Sequence, residues 1–461
     1  MATAERLREA LYLGQTRLLQ IAIVLCVRGT DAQEALAAAS RVRARLARAG
    51  FLPRLAVLRQ WPALASMLPG APDRLGAAHN VTSQAAARLL PFALCEGRAD
   101  GILLGRDEDD HVAVHLDRTR LANPAAVYLG APGSGKSAIA KMEILRRSRV
   151  APADRFLIVD PEGEYRGVVS SIPGGYELDV AHPDDVRLPL LPALGATGAM
   201  RAARATTLLA PLLGASAEGS RRRLAHALDG MLASGTEDLS ALPAALQTVD
   251  PALAEGAERA LAGPLAVLSG RAGPGPGVRA LSLRLSEVDT AALPALLPVL
   301  TEAALGHLHA APGAGSGWLW LTLDEFHLYL ERESGARLMV ELAKRARKRG
   351  IVITAVTQHL VDLLRHPDGQ AILAACETVA LFRPGVDVAP FAEALRLDAP
   401  GRARAGALAP GHALLRVGGR LRQVRVALSP AEEVLADTRP TGARPAPSDG
   451  ERGGEANGTA R

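Results

Sequence analysis

Apolar positions follow three patterns along this chain. Near the N-terminus, Leu18 to Arg28 (LLQIAIVLCVR) is rich in β-branched residues and predicts a strand. Asp31 is placed to cap a helix running to Ala49, which Gly50 stops. Leu52 to Arg59 predicts a second strand, so residues 1–100 read as a small α+β domain. Ile102–Arg106 and Val112–Leu116 predict a hairpin around the acids Asp107 to Asp110, a solvated turn rather than a metal site. From Pro124 the second pattern begins. Short, continuous apolar runs alternate with helical segments, as in a parallel sheet covered by helices. The runs are Ala125–Leu129, Arg155–Val159, Arg279–Leu285, Trp318–Leu323, Ile351–Val356 and Thr378–Phe382. Helices are predicted over Ser137–Arg147, Asp289–His309 and Gly335–Arg349; the last is capped by Ser334 and carries Met339, Leu342, Ala343 and Ala346 on one face. The third pattern fills residues 183–276. Helical stretches near Met200–Leu213, Arg222–Ala233 and Ala254–Leu268 follow one another with no strand between, then Gly270–Gly277 forms a flexible exit. This reads as a helical insertion dividing an α/β domain into residues 101–182 and 277–438. His412–Val417 and Gln423–Ala427 close the domain as a hairpin, and Ser429 to Glu432 has the pattern of a capping box. Residues 439–461 lack apolar periodicity and are expected to be disordered.

Composition narrows the picture modestly. A chain of 461 residues has room for two or three cores. Its formal charge of +5 is mildly basic, and aromatic residues make up only 3%, so base-stacking platforms are scarce. Cys26, Cys95 and Cys376 lie far apart, with no metal pattern or disulfide framework, which suits a reducing cytosol. Leu18 to Val27 is too short to span a bilayer, so any membrane association is expected to be peripheral. The sequon at Asn80 has no other sign of secretion beside it.

The chemistry concentrates in one stretch. Gly130-Ala-Pro-Gly-Ser-Gly-Lys-Ser137 fits the phosphate-loop pattern G-x-x-x-x-G-K-[ST], with a predicted strand before it and a helix after it. Gly130, Pro132, Gly133, Ser134, Gly135, Lys136, Ser137 and Ala138 would surround a polyphosphate. Lys136 would reach the β- and γ-phosphates of ATP, and the Ser137 hydroxyl would hold Mg²⁺. The chain has only four lysines, at 136, 141, 344 and 348, against a large excess of arginine, so a lysine here answers a specific need. Asp324 and Glu325 end the apolar run Trp318–Leu323. Asp324 is placed to hold Mg²⁺ and Glu325 to polarise the attacking water. Asp160-Pro-Glu-Gly-Glu-Tyr165 ends another strand, and Thr357-Gln358-His359 a third, where Gln358 could sense the γ-phosphate. Lys344 to Arg349 is a basic run. Arg345 is one turn from Glu341 and reads as a surface ion pair, whereas Arg347 and Arg349 lie nearer the helix end and are freer to point across an interface. Favourable charge at a helix C-terminus also accounts for such a run.

These motifs, in this order, resemble the conjugal transfer or type IV secretion ATPases of the HerA–FtsK superfamily. Val426 to Glu433 with Thr438 resembles the end of that family's chain, and residues 18–60 the last part of its N-terminal domain, here shortened. The resemblance implies a RecA-like P-loop NTPase core with a helical insertion, a homohexameric ring, and ATP hydrolysis that powers a conjugation-type secretion machine. It also implies inner-membrane secretion partners and a cytoplasmic place at the inner face of the membrane. Two other readings share the motifs: a DNA translocase of the same superfamily, which would bind nucleic acid, and a non-catalytic ATP-binding subunit.

Overall fold

The computed structural model describes residues 2–437 apart from 14, 49–50, 69, 84, 87–100, 184–185, 196–197, 271–272, 312–316, 386–391, 393–394 and 396. The expected disordered tail and Cys95 lie outside the described residues. The chain divides into two compact units, one up to Glu96 and one from Gly97 on. Among the described residues no helix is long and apolar enough to cross a membrane.

The first unit contains helix α1 (Ala2–Tyr12), strand β1 (Leu18–Ile21), helices α2 (Ala32–Arg48) and α3 (Gln60–Ser66), and strand β2 (His79–Thr82). Asp31 caps α2 as expected, accepting from the Glu34 N–H at 2.7 Å. Both expected strands need correction. The first ends at Ile21, and its partner is β2, paired antiparallel from Leu18 opposite Thr82 to Ile21 opposite His79. Residues 52–59 form no strand. Pro53 lacks an N–H to donate, and Leu58 sits at φ +55°, which breaks an extended run.

The second unit is built on an eleven-stranded sheet. Its first strands, β3 (Ile102–Asp107) and β4 (Ala113–Leu116), pair antiparallel as the expected hairpin. Then come β5 (Ala126–Leu129), helix α4 (Lys136–Val150), β6 (Arg155–Asp160), α5 (Arg166–Ser170) and β7 (Gly175–Asp179). Helices α6 (Leu190–Ala193), α7 (Gly198–Leu209), α8 (Glu218–Ala233), α9 (Leu242–Gln247) and α10 (Pro251–Leu261) follow. The sheet resumes with β8 (Ala280–Arg284), α11 (Leu293–Ala310), β9 (Leu319–Leu323), α12 (His327–Leu330), α13 (Glu333–Arg345) and β10 (Ile351–Thr357). The last elements are α14 (Leu360–Arg365), α15 (Pro367–Ala375), β11 (Thr378–Phe382), α16 (Ala399–Gly406), β12 (His412–Val417), β13 (Arg420–Val426) and α17 (Pro430–Ala436).

Across the sheet the order is β4-β3-β13-β12-β11-β5-β10-β9-β6-β8-β7. From β11 to β7 every neighbour is parallel, and from β11 to β4 every neighbour is antiparallel. The apolar runs of β5, β9 and β10 are buried throughout, because helices cover both faces. Leu190, Leu191, Leu209, Leu224 and Leu246 from the helices between β7 and β8 join Leu157, Leu281 and Leu321 of the sheet in one apolar core. Helix α13 starts one residue before Ser334, and Arg332, not Ser334, is its N-cap. Gly335 packs so tightly on the Tyr329 carbonyl that an added Cβ would lie 2.3 Å from its oxygen, which fixes Ser334 inside the helix. The helix also stops short of Arg349: Arg347–Arg349 form a 3₁₀ turn that Gly350 ends at φ +65°.

Helix α4 is tied to the sheet by buried charge. Arg118, in a 3₁₀ turn before β5, is 1% exposed. It donates to Glu143 Oε2 of α4 at 2.8 Å, to Thr354 Oγ1 of β10 at 2.6 Å, and to the carbonyls of Pro124 and Ile353. The Tyr128 hydroxyl of β5 donates to the same Glu143 oxygen at 3.0 Å. On its other side α4 sends Arg146 to both carboxylate oxygens of Glu432 in α17, at 2.8 and 2.6 Å. Ser429 and Glu432 close the expected capping box there. This bidentate pair, with the Ser429 N–H, holds the Glu432 carboxyl down to about 2. Removing one partner of a fully buried pair strands the other, so Glu143→Ala should cost about 3–5 kcal/mol. Replacing Arg118 and Glu143 together by Met and Leu should cost far less. Urea unfolding of the three proteins checks this, and a single-variant loss below about 1 kcal/mol would contradict it.

Candidate functional site

The loop after β5 is shaped by glycine and pinned by the sheet. Gly133 and Gly135 take φ +67° and +110°, the left-handed region that glycine enters without strain. An added Cβ at Gly130 would lie 2.6 Å from Ser134 Oγ and 2.7 Å from Phe382 Cβ, so only glycine fits there. The Ala131 N–H donates to the Arg383 carbonyl at 2.9 Å, and the Ser134 carbonyl accepts from the Gly411 N–H at 2.9 Å. The segments that follow β11 and precede β12 therefore hold the loop from outside. Gly135 is the N-cap of α4, and Lys136 its first residue. Among the described residues, the N–H groups of Gly135, Lys136 and Ser137 have no acceptor in the chain. The Ser134 hydroxyl is buried without a partner, and Lys136 is 7% exposed with no carboxylate of the described residues paired to it. Donors gathered at a helix N-terminus with no acceptor suit an anion, and they fit a polyphosphate.

Parallel pairing carries four strand ends to the same edge of the sheet. Leu129 lies opposite Thr357, Ala355 opposite Leu323, and Leu323 opposite Val159. The loop, Gln358, Asp324–Glu325 and Asp160 therefore share the carboxyl edge, where open α/β sheets bind their ligands. Asp324 is buried. Burial pushes its carboxyl up to about 7, with the Glu325 carboxylate adding to the rise against the Glu325 N–H. Asp160 accepts from the N–H groups of Glu164 and Tyr165, both at 2.9 Å, yet burial still raises it to about 6. Tyr165 is wholly buried, and its hydroxyl stands beside Asp324 outside hydrogen-bond geometry. Burial first, then the Asp324 and Asp160 carboxylates, keep that hydroxyl protonated. Lys141, on the first turns of α4, is buried 3.4 Å from Glu164 and 5.1 Å from the centre of the Tyr165 ring. Among the described residues no cation stands beside the buried Asp324, and a buried acid of that kind fits a divalent metal.

Glu325 is strained. It holds φ +46°, uncommon for a residue with a side chain. Its N–H donates to Asp324 Oδ1 at 3.0 Å, and its Oε1 accepts from Gln358 Nε2 at 3.1 Å. The adjacency of β9 and β10 thus places Gln358 directly on Glu325. The basic run lies elsewhere. Arg345 pairs with Glu341 at 3.2 Å, as the spacing predicts, and Arg347 donates to the Leu121 carbonyl at 3.1 Å. Arg347 and Arg349 precede β10, at the amino edge, opposite the loop. Within one chain they stand a strand's length from the phosphate site, roughly 20 Å.

Sequence reasoning passed over three residues here. Arg383 is exposed directly after β11, with its carbonyl bonded to the loop. His327 and His359 meet beside Glu325, with ring centres 3.9 Å apart. The signal was available: each histidine lies within two residues of a predicted strand-end group, and neighbouring parallel strands bring those ends together.

Comparison with known proteins agrees with this architecture. VirB4 of Thermoanaerobacter pseudethanolicus matches with a TM-score of 0.62 at 19% identity, over 72% of this chain and 98% of that one. The chain has the VirB4 fold. This is the α/β, RecA-like P-loop NTPase fold expected from the sequence. The bacterial conjugative coupling protein TrwBdeltaN70, in its unbound monoclinic form, matches at a TM-score of 0.48 and 16% identity, over 67% of this chain and 86% of that one. Plasmid coupling protein TrwB in complex with ADP and Mg²⁺ matches at 0.48 and 16%, over 67% and 87%. No protein-family model and no curated protein matches the sequence.

The raised Asp324 carboxyl makes stability depend on pH. The folded group keeps its proton to about pH 7, whereas an unfolded aspartate releases it near about pH 4. Over that interval the folded state binds more protons, so stability without divalent metal should fall as pH rises. Asp324→Asn should flatten the slope. Thermal unfolding in EDTA across this interval checks it, and equal slopes for both proteins would contradict the assignment.

Proposed function

We propose that this chain is a Mg²⁺-dependent ATP hydrolase that powers assembly of, or substrate passage through, a conjugation-type (type IV) secretion machine. The observation that carries the reading is the direct hydrogen bond from Gln358 to Glu325 at the sheet edge that also bears the phosphate loop and Asp324. The VirB4 fold supports the same reading at the level of architecture.

The roles follow from the chemistry of each group. The loop N–H groups and Lys136 hold the β- and γ-phosphates, and the α4 dipole adds to their field. Ser137 and Asp324 hold Mg²⁺, which when bound neutralises charge on the transferred phosphoryl group. Glu325 orients the attacking water and takes its proton while the new P–O bond forms. The bond to ADP breaks and the electron pair leaves on the β-phosphate oxygen. Gln358, fixed to one Glu325 oxygen, registers whether the γ-phosphate is present and passes that to β10. A neighbouring subunit in a homohexameric ring supplies Arg347 or Arg349, whose place at the opposite sheet edge leaves them able to act only across a subunit boundary. Inner-membrane secretion components are the proposed partners, met from the cytoplasmic face.

Lys136→Ala should reduce ATP hydrolysis to background. Glu325→Gln should still bind MgATP but turn it over at least about 10²-fold more slowly, because binding needs the metal and hydrolysis needs the base. Gln358→Ala should lower turnover more than ATP affinity. Nucleotide binding and steady-state hydrolysis measured side by side check all three. Wild-type turnover by Lys136→Ala would overturn the loop assignment. Strong stimulation of hydrolysis by duplex DNA, with salt-dependent binding, would move the function to DNA translocation.

The arginines have their own test. Arg347→Ala or Arg349→Ala should each lose on the order of 10³-fold in rate if the residue acts in trans. Mixing such subunits with Lys136→Ala subunits should restore activity where an intact loop meets an intact arginine. Full activity of both single variants, or no recovery on mixing, would exclude these residues.

A further inference from the structure

The carboxyl edge carries three groups that phosphate chemistry does not use as a set. Glu325 offers one carboxylate oxygen to Gln358, and its other oxygen, Oε2, is buried with no hydrogen-bond partner. His327 Nδ1 lies 3.2 Å from that oxygen and is likewise buried without a hydrogen bond. A ring nitrogen of His359 completes the group, and the three ligand atoms lie within 4.8 Å of one another. Two ligands of a tetrahedral zinc ion at about 2.1 Å stand about 3.4 Å apart, close to the Glu325–His327 separation. The His359 ring is half-exposed and packs against the His327 ring, so a rotation of its side chain would have to close the remaining gap. Asp362 Oδ2 stands 3.4 Å from His359 Nδ1 and can orient that ring, as outer carboxylates do for metal-bound imidazoles.

We propose that Glu325, His327 and His359 bind a divalent transition-metal ion of the Zn²⁺ class and that this metal inhibits the site. Two imidazoles and one carboxylate suit zinc and leave a fourth position open to water. Mg²⁺, which prefers oxygen ligands, does not compete for them. Metal binding takes up the Glu325 oxygen that would otherwise face the attacking water. The ion binding stands on the three side chains alone, while the inhibition rests on the role given above to Glu325.

The experiment titrates ZnCl₂ into the metal-free full chain by calorimetry, with Co²⁺ absorption reporting ligand geometry. One Zn²⁺ per chain is expected. His359→Ala and His327→Ala should each weaken it more than tenfold, and the Co²⁺ spectrum should lose its tetrahedral character. His359 is at the surface, so circular dichroism of His359→Ala should match the parent and exclude misfolding as the cause. With saturating MgATP, Zn²⁺ should cut hydrolysis by the parent more than tenfold and spare whatever activity His359→Ala retains. No stoichiometric binding, or full affinity in the doubly substituted His327→Ala, His359→Ala chain, overturns the metal site. Binding without loss of hydrolysis overturns the inhibition. Binding by a chain that never hydrolyses ATP upholds the metal site and instead defeats the hydrolase reading.

Discussion

The buried pair of Arg118 and Glu143 sets the terms for the rest of the α/β unit. Glu143 belongs to the helix whose first turn faces the phosphate loop, and a carboxylate there is too costly to bury alone. Arg118 supplies the charge, and its remaining N–H groups reach the carbonyls of Pro124 and Ile353. Those carbonyls belong to the segment entering β5 and to β10 itself. One guanidinium therefore locks the helix, the strand that delivers the loop, and the strand that delivers Gln358. Arg146 repeats the device on the outer side, tying the same helix to α17. A loop built of glycine has little stiffness of its own. Its geometry is borrowed from a helix that cannot shift without exposing or stranding charge.

The strain at Glu325 is held by the same framework. A side chain at φ +46° costs on the order of 1–3 kcal/mol. The residues on either side pay none of it: the Asp324 N–H is bonded to the Val159 carbonyl at 3.1 Å and the Phe326 N–H to the Val356 carbonyl at 2.9 Å. With both flanks fixed to neighbouring strands, the backbone has to turn sharply between them. That turn aims the carboxylate at Gln358 instead of letting it continue along the strand. Strain here is the consequence of ending a central strand between two others and still presenting a side chain sideways.

Much of this was legible in the sequence, and the reasons differ by region. The loop could be read because Gly130, Gly133 and Gly135 are each demanded by local geometry. The parallel strands could be read because burial on both faces leaves no alternation to misinterpret. The failures fall where the outcome depends on a distant partner. Leu18 to Arg28 has strand composition, but its pairing length was set by His79–Thr82, sixty residues away in the chain. Ser334 looks like a cap until the close approach of Gly335 to Tyr329 decides where the helix begins. The place of the basic run followed from topology: a helix preceding β10 must end at the amino edge. His327 and His359 each lay within two residues of a predicted strand end, but only the adjacency of β9 and β10 makes them a pair.

The electrostatics of the carboxyl edge point to a ligand that carries both signs. On one side lie N–H donors and Lys136, with no anion among the described residues to receive them. On the other lie Asp324 and Asp160, both raised by burial and lacking a cation strong enough to bring them down; Lys141 reaches Asp160 only as a weak counterweight. A bare polyphosphate would satisfy the first group and repel the second. A bare divalent cation would do the reverse. A metal–polyphosphate complex relieves both at once, since its metal meets the acids while its outer oxygens meet the loop. The fit of this edge to a metal–polyphosphate pair is thus a property of how these charges are buried.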